Sequence, residues 1–336
     1  MSNAFPTLPA IDLSPLFAGS NADHLSCGQA MLSAMQHSRG FVAAGLPFAA
    51  DFDARVADAL RFFDLPEDAR MALATRRHRP GASHCYRGFF PLPKDRGWAH
   101  NEIFDVGPET PSRAPEGHPV KRFLEETNQW PAIAPDPAWR GGVESVFADL
   151  HDVGRRTMAA LAAALGEDET TFMTAFSEGN GTLRLLHYPP PPEGFVAAHR
   201  ETLPERVDAA GRRIITHSHV DACVLSLLWQ DDVGGLQYEG SDGTWYEVPS
   251  GGGRISIHGG RALERMTGGR LPGTPHRVVG KGLDRCSMGW FLEPDFNATI
   301  GRDADGRAFT YADHMKDDFD GLDDYAAAMS DAIAAA

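Results

Sequence analysis

The chain has 336 residues, 42% of them hydrophobic and 23% charged, a globular composition that excludes a disordered chain, a collagen or a coiled coil. Its 31 basic and 46 acidic residues give a formal net charge of −15, which repels nucleic acid and anionic membrane and sets both aside as partners. Cys27, Cys85, Cys223 and Cys286 form no CxxC pair and read as reduced thiols of a cytoplasmic protein. No secretory signal and no apolar run of roughly 18 residues is visible, so neither export nor a membrane span is expected.

Leu8 to Leu13 reads as a short strand and His24 to Gln36 as a helix, with Leu25, Ala30, Met31, Ala34 and Met35 at helical spacing. Gly40 to Ala44 predicts a buried strand. Phe52 to Phe63 predicts a second helix, and Pro66 suits the first turn of another. From Leu73 to Pro137 prolines and glycines are dense and periodicity fades. That predicts a long irregular stretch, of the kind that usually serves function. Ala138 to Leu165 is the strongest helix, with Gly166 placed to cap it.

After Gly181 the pattern changes to short strands: Leu183 to Tyr188, Ile214 to Val220, Val224 to Trp229, Leu236 to Tyr238, Trp245 to Val248, Arg254 to His258, His276 to Val279 and Cys286 to Leu292. Turn segments such as Asp232-Val233-Gly234-Gly235 and Ser250 to Gly253 separate them. This spacing predicts a sandwich or jelly-roll barrel, mostly β with flanking helices. Leu322 to Ala336 is alanine-rich and predicts a peripheral helix. A closed barrel leaves no strand edge in want of a partner, so a monomer is expected.

His219-Val220-Asp221 is an HxD, and on a strand its two side chains share a face. His276 stands at the start of a later strand. Two imidazoles and one carboxylate form the facial triad of non-haem Fe(II) oxygenases, which leaves positions open for substrate, cosubstrate and dioxygen. Zinc could take the same ligands but could not perform that redox chemistry. Arg285-Cys286-Ser287 follows. Its guanidinium and hydroxyl, again on one face, make a receptor for a carboxylate such as that of a dicarboxylate cosubstrate.

With these motifs the chain resembles the isopenicillin N synthase-like non-haem iron oxygenases, which include many 2-oxoglutarate-dependent dioxygenases. The likeness runs from about Leu8 to Phe296. Its landmarks include Arg39-Gly-Phe-Val, Phe62-Phe63-Asp-Leu-Pro, Tyr86-Arg-Gly-Phe, Glu102-Ile-Phe-Asp, Asn128-Gln-Trp-Pro, Leu183-Arg184 and Tyr188-Pro-Pro. Gln230-Asp-Asp-Val-Gly-Gly-Leu-Gln and Thr267-Gly-Gly extend the set. The resemblance implies a double-stranded β-helix with Fe(II) on His219, Asp221 and His276. It implies 2-oxoglutarate on Arg285 and Ser287 with help from Tyr188, and dioxygen as cosubstrate. The implied reaction is oxidative decarboxylation of 2-oxoglutarate to succinate, coupled to hydroxylation, desaturation or cyclisation of a small molecule.

The expected organisation is a single catalytic domain over 1–336. A helix-rich part, 1–180, packs on a jelly-roll core, 181–296, that holds the iron, and an extension spans 297–336. Departures from the family pattern are Val220 inside the HxD, Cys223 two residues after the aspartate, and Leu186 where many members carry asparagine. Arg76, Arg77, Arg79, Arg87, Lys94 and Arg96 form a basic stretch that, facing the pocket, would favour an acidic substrate. The connection from Pro189 to His217 is longer than usual for the family and reads as a lid. Arg87, Phe104, Arg200 in that connection and Phe291 are candidate substrate contacts. Two other readings stand beside the dioxygenase: a 2-oxoglutarate-independent iron oxidase of the same fold, and a non-catalytic small-molecule binding protein.

Overall fold

The computed structural model describes residues 5–92, 101–190 and 207–320. Its N-terminal part runs β1 (Ala10–Asp12), α1 (Pro15–Ala18), α2 (Asn21–His37), β2 (Gly40–Ala44), α3 (Phe52–Leu60), α4 (Glu67–Met71), β3 (Gly88–Phe90), β4 (Glu102–Val106), α5 (Lys121–Leu124), α6 (Trp139–Ala164) and α7 (Glu169–Met173). The second part is nearly all strand: β5 (Gly181–Tyr188), β6 (Ile214–His219), β7 (Leu225–Gln230), β8 (Leu236–Glu239), β9 (Trp245–Glu247), β10 (Ile255–Gly259), β11 (His276–Val279) and β12 (Arg285–Leu292), with α8 (Arg261–Met266) between the last two pairs. A hairpin of β13 (Thr299–Arg302) and β14 (Ala308–Thr310) leads into α9 (Tyr311–Asp320).

The eight strands expected after Gly181 are all present. The Leu73 to Pro137 stretch is less irregular than its composition suggests. It supplies β3 and β4, which extend the larger sheet. Pro66 stands one position before its helix, as the N-cap. The hairpin went unpredicted, because strands of three and four residues carry little period to detect, and the ten-residue α9 was not expected either. The helix expected over 322–336 lies outside the described residues.

The larger sheet has the order β1-β2-β10-β7-β12-β5-β4-β3 and the smaller one β6-β11-β8-β9. They face each other as the two walls of a double-stranded β-helix. Strand alternation sorts the chemistry between the faces. On β10, Ile255 and Ile257 point outward into the main core, while Ser256 and His258 point between the sheets, towards Tyr238 of β8 and Asp221. On β12, Met288, Trp290 and Leu292 join that same core, and Arg285, Ser287, Gly289 and Phe291 take the inner face.

The outer core is closed by helices. Val143, Val146, Leu150, Val153, Met158 and Leu161 recur on α6 at intervals of three, four or five residues, and all are buried. Gly154 on this stripe admits Trp290: a Cβ there would stand 2.6 Å from the indole ring. The helix ends as predicted. Gly166 has φ +74°, and the amides of Gly166 and Glu167 donate to the carbonyls of Ala163 and Ala162, 3.0 Å each, in a Schellman turn. A smaller apolar cluster, including Leu8, Val42, Leu236, Tyr238 and Val278, packs between the sheets. Its Tyr238 borders the polar site, with its ring 6.1 Å from that of His276.

Candidate active site

β6 and β11 are antiparallel neighbours in a register that sets His276 directly opposite His219. Asp221 follows β6 by two residues. The ring centroids of the two histidines are 4.2 Å apart. His219 Nε2 lies 3.5 Å from Asp221 Oδ1, and His276 Nε2 lies 3.7 Å from Asp221 Oδ2. All three ligand atoms fall within 4.8 Å of one another. The His219 side chain retains 31% of its exposure and His276 only 5%, so the cluster opens to one side.

Backbone contacts fix the tautomers. His219 Nδ1 is 2.8 Å from the carbonyl of His217, and His276 Nδ1 is 3.1 Å from that of Thr274. A carbonyl only accepts, so each Nδ1 carries the proton and each Nε2 presents a lone pair to the centre. Burial drives both imidazoles down to about 4, so they are neutral at physiological pH. Burial also works to raise the Asp221 carboxyl. His276, His258 and His219 together outweigh it and hold the group well below the usual carboxylate range. Two neutral imidazoles and a carboxylate, with one side open, fit a divalent iron.

Two residues that sequence reasoning did not single out complete this arrangement. Ser226 Oγ donates to Asp221 Oδ2 at 2.5 Å, and His258 Nε2 stands 3.2 Å from the same oxygen. His258 Nδ1 is in turn 2.8 Å from the Tyr238 hydroxyl, which lies 2.8 Å from Ser256 Oγ. The only available signal was the alternation Ile255-Ser256-Ile257-His258, which puts two polar residues on the inner face of a buried strand. Cys223 is buried, with its thiol 3.2 Å from Ser226 Oγ.

Arg285 and Ser287 occupy the same inner face, next to Tyr188, which is the cross-strand partner of Arg285. The guanidinium is 3% exposed. Its Nε donates to the Gly234 carbonyl at 2.8 Å, Nη1 to Ser287 Oγ at 3.1 Å and Nη2 to Gln230 Oε1 at 3.3 Å. Its carbon sits 4.7 Å from the centre of the Tyr188 ring. Among the described residues these partners are all neutral. A buried cation so surrounded calls for an anion.

The further candidates separate. Phe291 is half-buried on the inner face, with the Arg184 guanidinium 5.6 Å from its ring centre. Arg184 binds Asp105 through two hydrogen bonds, 2.9 and 2.7 Å. Phe104 is a correction. It is fully buried on the outer face of β4, stacked 4.0 Å from Phe62, and a substrate between the sheets cannot touch it. Arg87 is a buried side chain, not a surface charge. It is 1% exposed and donates to Thr182 Oγ1 at 2.7 Å, and Thr182 Oγ1 donates to Glu293 Oε2 at 3.2 Å. Its charge is answered inside the protein. Arg200, Lys94 and Arg96 lie outside the described residues, as does most of the connection read as a lid.

The comparisons with known proteins agree with this geometry. Residues 179–294 match the 2OG-Fe(II) oxygenase superfamily. Residues 8–133 match the N-terminal region described as non-haem dioxygenase in morphine synthesis. The chain is 25% identical over 292 residues to isopenicillin N synthase of Amycolatopsis lactamdurans, which covers 85% of this chain and 84% of that one. It is 28% identical over 305 residues to the 2-oxoglutarate-Fe(II) type oxidoreductase hxnY of Emericella nidulans, covering 85% and 80%. In fold it is similar to a 2OG-Fe(II) oxygenase family protein of Caulobacter crescentus, with TM-score 0.72, 24% identity and coverage of 94% and 99%. It is likewise similar to Neurospora crassa T7H in complex with alpha-KG and 5-formyluracil, with TM-score 0.70, 21% identity and coverage of 94% and 97%.

The fold and matches define a non-haem iron oxygenase. The chain belongs to the 2OG-Fe(II) oxygenase superfamily and is a dioxygenase of that class, with Fe(II) and 2-oxoglutarate as its cofactors. Among the described residues no helix is long and apolar enough to cross a membrane.

Proposed function

We propose that His219, Asp221 and His276 hold the Fe(II), that Arg285, Ser287 and Tyr188 hold the far carboxylate of 2-oxoglutarate, and that a small polar molecule is oxidised beside Phe291. The observation that carries this reading is the buried Arg285, whose partners among the described residues are all neutral, on the inner face of the barrel that also holds the triad. When bound, the iron supplies dioxygen activation and the oxidation that follows. The chain's own groups bind and orient. Arg285 contributes charge and Ser287 a hydroxyl. The Tyr188 ring covers the guanidinium and keeps water from it. Ser226 and His258 fix the rotation of Asp221, so that its other oxygen, Oδ1, faces His219.

On the substrate side the wall is polar and its charges are matched: Arg184 with Asp105, and Arg87 through Thr182 with Glu293. This supports a substrate offering both donors and acceptors, and neither Arg87 nor Arg184, each answered within the protein, adds support to the acidic preference expected from the basic stretch. The same reading takes the chain as one domain, monomeric and cytoplasmic, with no nucleic-acid partner. The net charge of −15 and the apolar face covered by α2, α3 and α6 support it.

The test is anaerobic addition of Fe(II) and then 2-oxoglutarate, followed by the visible charge-transfer band of the chelate. We expect a band in the wild type and none in Asp221→Ala. In Arg285→Ala, 2-oxoglutarate affinity should fall by about 2–5 kcal/mol, the cost of removing one partner of a buried charge pair. Iron binding without any band would move the reading to an oxidase in which the substrate's own carboxylate occupies Arg285. Unchanged cosubstrate affinity in Arg285→Ala would remove the assignment of that residue.

A further inference from the structure

A second group of ligating side chains lies on the outer face of the larger sheet, at the end that carries Arg285. His187 of β5 and Cys286 of β12 are direct cross-strand partners, and Asp284 precedes β12. One nitrogen of His187, one carboxylate oxygen of Asp284 and the Cys286 sulfur lie within 4.8 Å of one another. Strand alternation puts His187 and Cys286 on the face opposite Tyr188 and Arg285, so the group shares no ligand atom with the iron site. We infer that His187, Asp284 and Cys286 form a second metal site, for a thiophilic divalent cation such as zinc with water as fourth ligand.

The donor set is the first reason. Imidazole nitrogen, carboxylate oxygen and thiolate sulfur together suit zinc better than the hard cations. The second is that the histidine is already oriented. Its Nδ1 is 2.8 Å from Glu102 Oε1, and Glu102 is itself held by Arg70. That leaves Nε2 turned to Asp284, 2.8 Å from Oδ1. This is the carboxylate–histidine–metal arrangement, with a proton standing between Nε2 and Asp284 where the cation would sit. The third is the local field. The Asp231 carboxylate accepts the Cys286 amide at 2.5 Å, and Asp284 stands beside the sulfur. Two negative charges at the thiol attract a dication, and binding releases the thiol proton and the His187 Nε2 proton to solvent. Access is the fourth. Cys27, Cys85 and Cys223 are buried, whereas Cys286 is not fully buried and Asp284 is exposed.

Cadmium is the probe, because a cadmium–thiolate bond absorbs in the ultraviolet and a cadmium–histidine–carboxylate centre does not. Wild-type protein should bind two cadmium ions per chain and show the thiolate band. Asp221→Ala should bind one and keep the band. Cys286→Ser should bind one and lose it, with its thermal unfolding unchanged. Glu102→Gln should need about 10–100-fold more cadmium to develop the band. Should Cys286→Ser fail to fold, Asp284→Asn, at an exposed carboxylate, gives the same weakening without that risk. No band in the wild type, or a band that survives in Cys286→Ser, overturns the site. Neither result bears on the iron assignment, which Asp221→Ala reports separately.

Discussion

Asp221 is held from more directions than a metal ligand needs for binding alone. Ser226 and His258 both reach Oδ2, and His258 is itself fixed by Tyr238. This chain makes His258 a positioning residue. His258→Phe keeps the volume and removes the contact to the carboxylate. Iron affinity should fall about 10–100-fold, the usual effect of losing an outer partner, while 2-oxoglutarate affinity, measured with the iron site saturated, stays near wild type. Equal iron affinity in the two proteins by metal titration would show that Ser226 suffices. The triad was legible because its residue types and spacing have few other uses. His258 was not, since a histidine on an alternating strand has many structural roles, and only the folded chain brings it beside Asp221.

At the scale of elements, the contact between α6 and β12 inverts an ordinary rule. Gly→Ala inside a helix gains roughly 0.5–1 kcal/mol from backbone propensity. At Gly154 the new methyl would stand 2.6 Å from the fully buried Trp290 ring, and overpacking of this kind costs about 1–3 kcal/mol. Gly154→Ala should therefore lower the urea midpoint, and a raised midpoint would show that the indole can move aside.

A second element-level device is the clamp on the segment before β3. Glu126 accepts the backbone amides of Cys85, Tyr86 and Arg87 at 2.7, 2.8 and 3.1 Å. Burial raises its carboxyl from the ordinary 4.5 to about 6, although those amides pull it down. The folded chain thus holds this proton more tightly than the unfolded chain does. Its contribution is fully present below pH 4.5 and is lost as pH rises through about 6, at a cost of about 2 kcal/mol. Stability of Glu126→Gln, followed by urea midpoint against pH, should lack that fall. Nothing in the sequence pairs Glu126 with Cys85, because the contact crosses 41 positions of irregular chain.

For the whole molecule, the larger sheet acts as a partition, apolar towards α2, α3 and α6 and polar towards the smaller sheet. The barrel strands were legible because turn residues punctuate them regularly and period two survives in each. The substrate wall was not. Phe104 fails by one position of parity: Ile103 and Asp105 face inward, and a single step along a strand exchanges the faces. The burial of Arg87 was hidden for a different reason. The basic stretch is contiguous in sequence, but this member is answered by Thr182 on β5 and by Glu293 just after β12, both distant in the chain.

The segment around β1 bears on the order in which the barrel can be assembled. Its hydrogen bonds run to both sheets. Ala10 to Asp12 pair with β2, while Leu8 and Pro6 exchange bonds with Glu247 on β9 at 3.3 and 2.8 Å. β2 in turn needs β10, with Ala43 opposite Ile255. On a ribosome, β1 and β2 therefore emerge long before their remaining partners, and the seam cannot close until the chain has grown past Gly259. Long-range pairing of this kind is slow and leaves apolar edges bare in the interval. Phe41 and Val42, both buried in the finished barrel, belong to the surface that a nascent-chain chaperone would meet first.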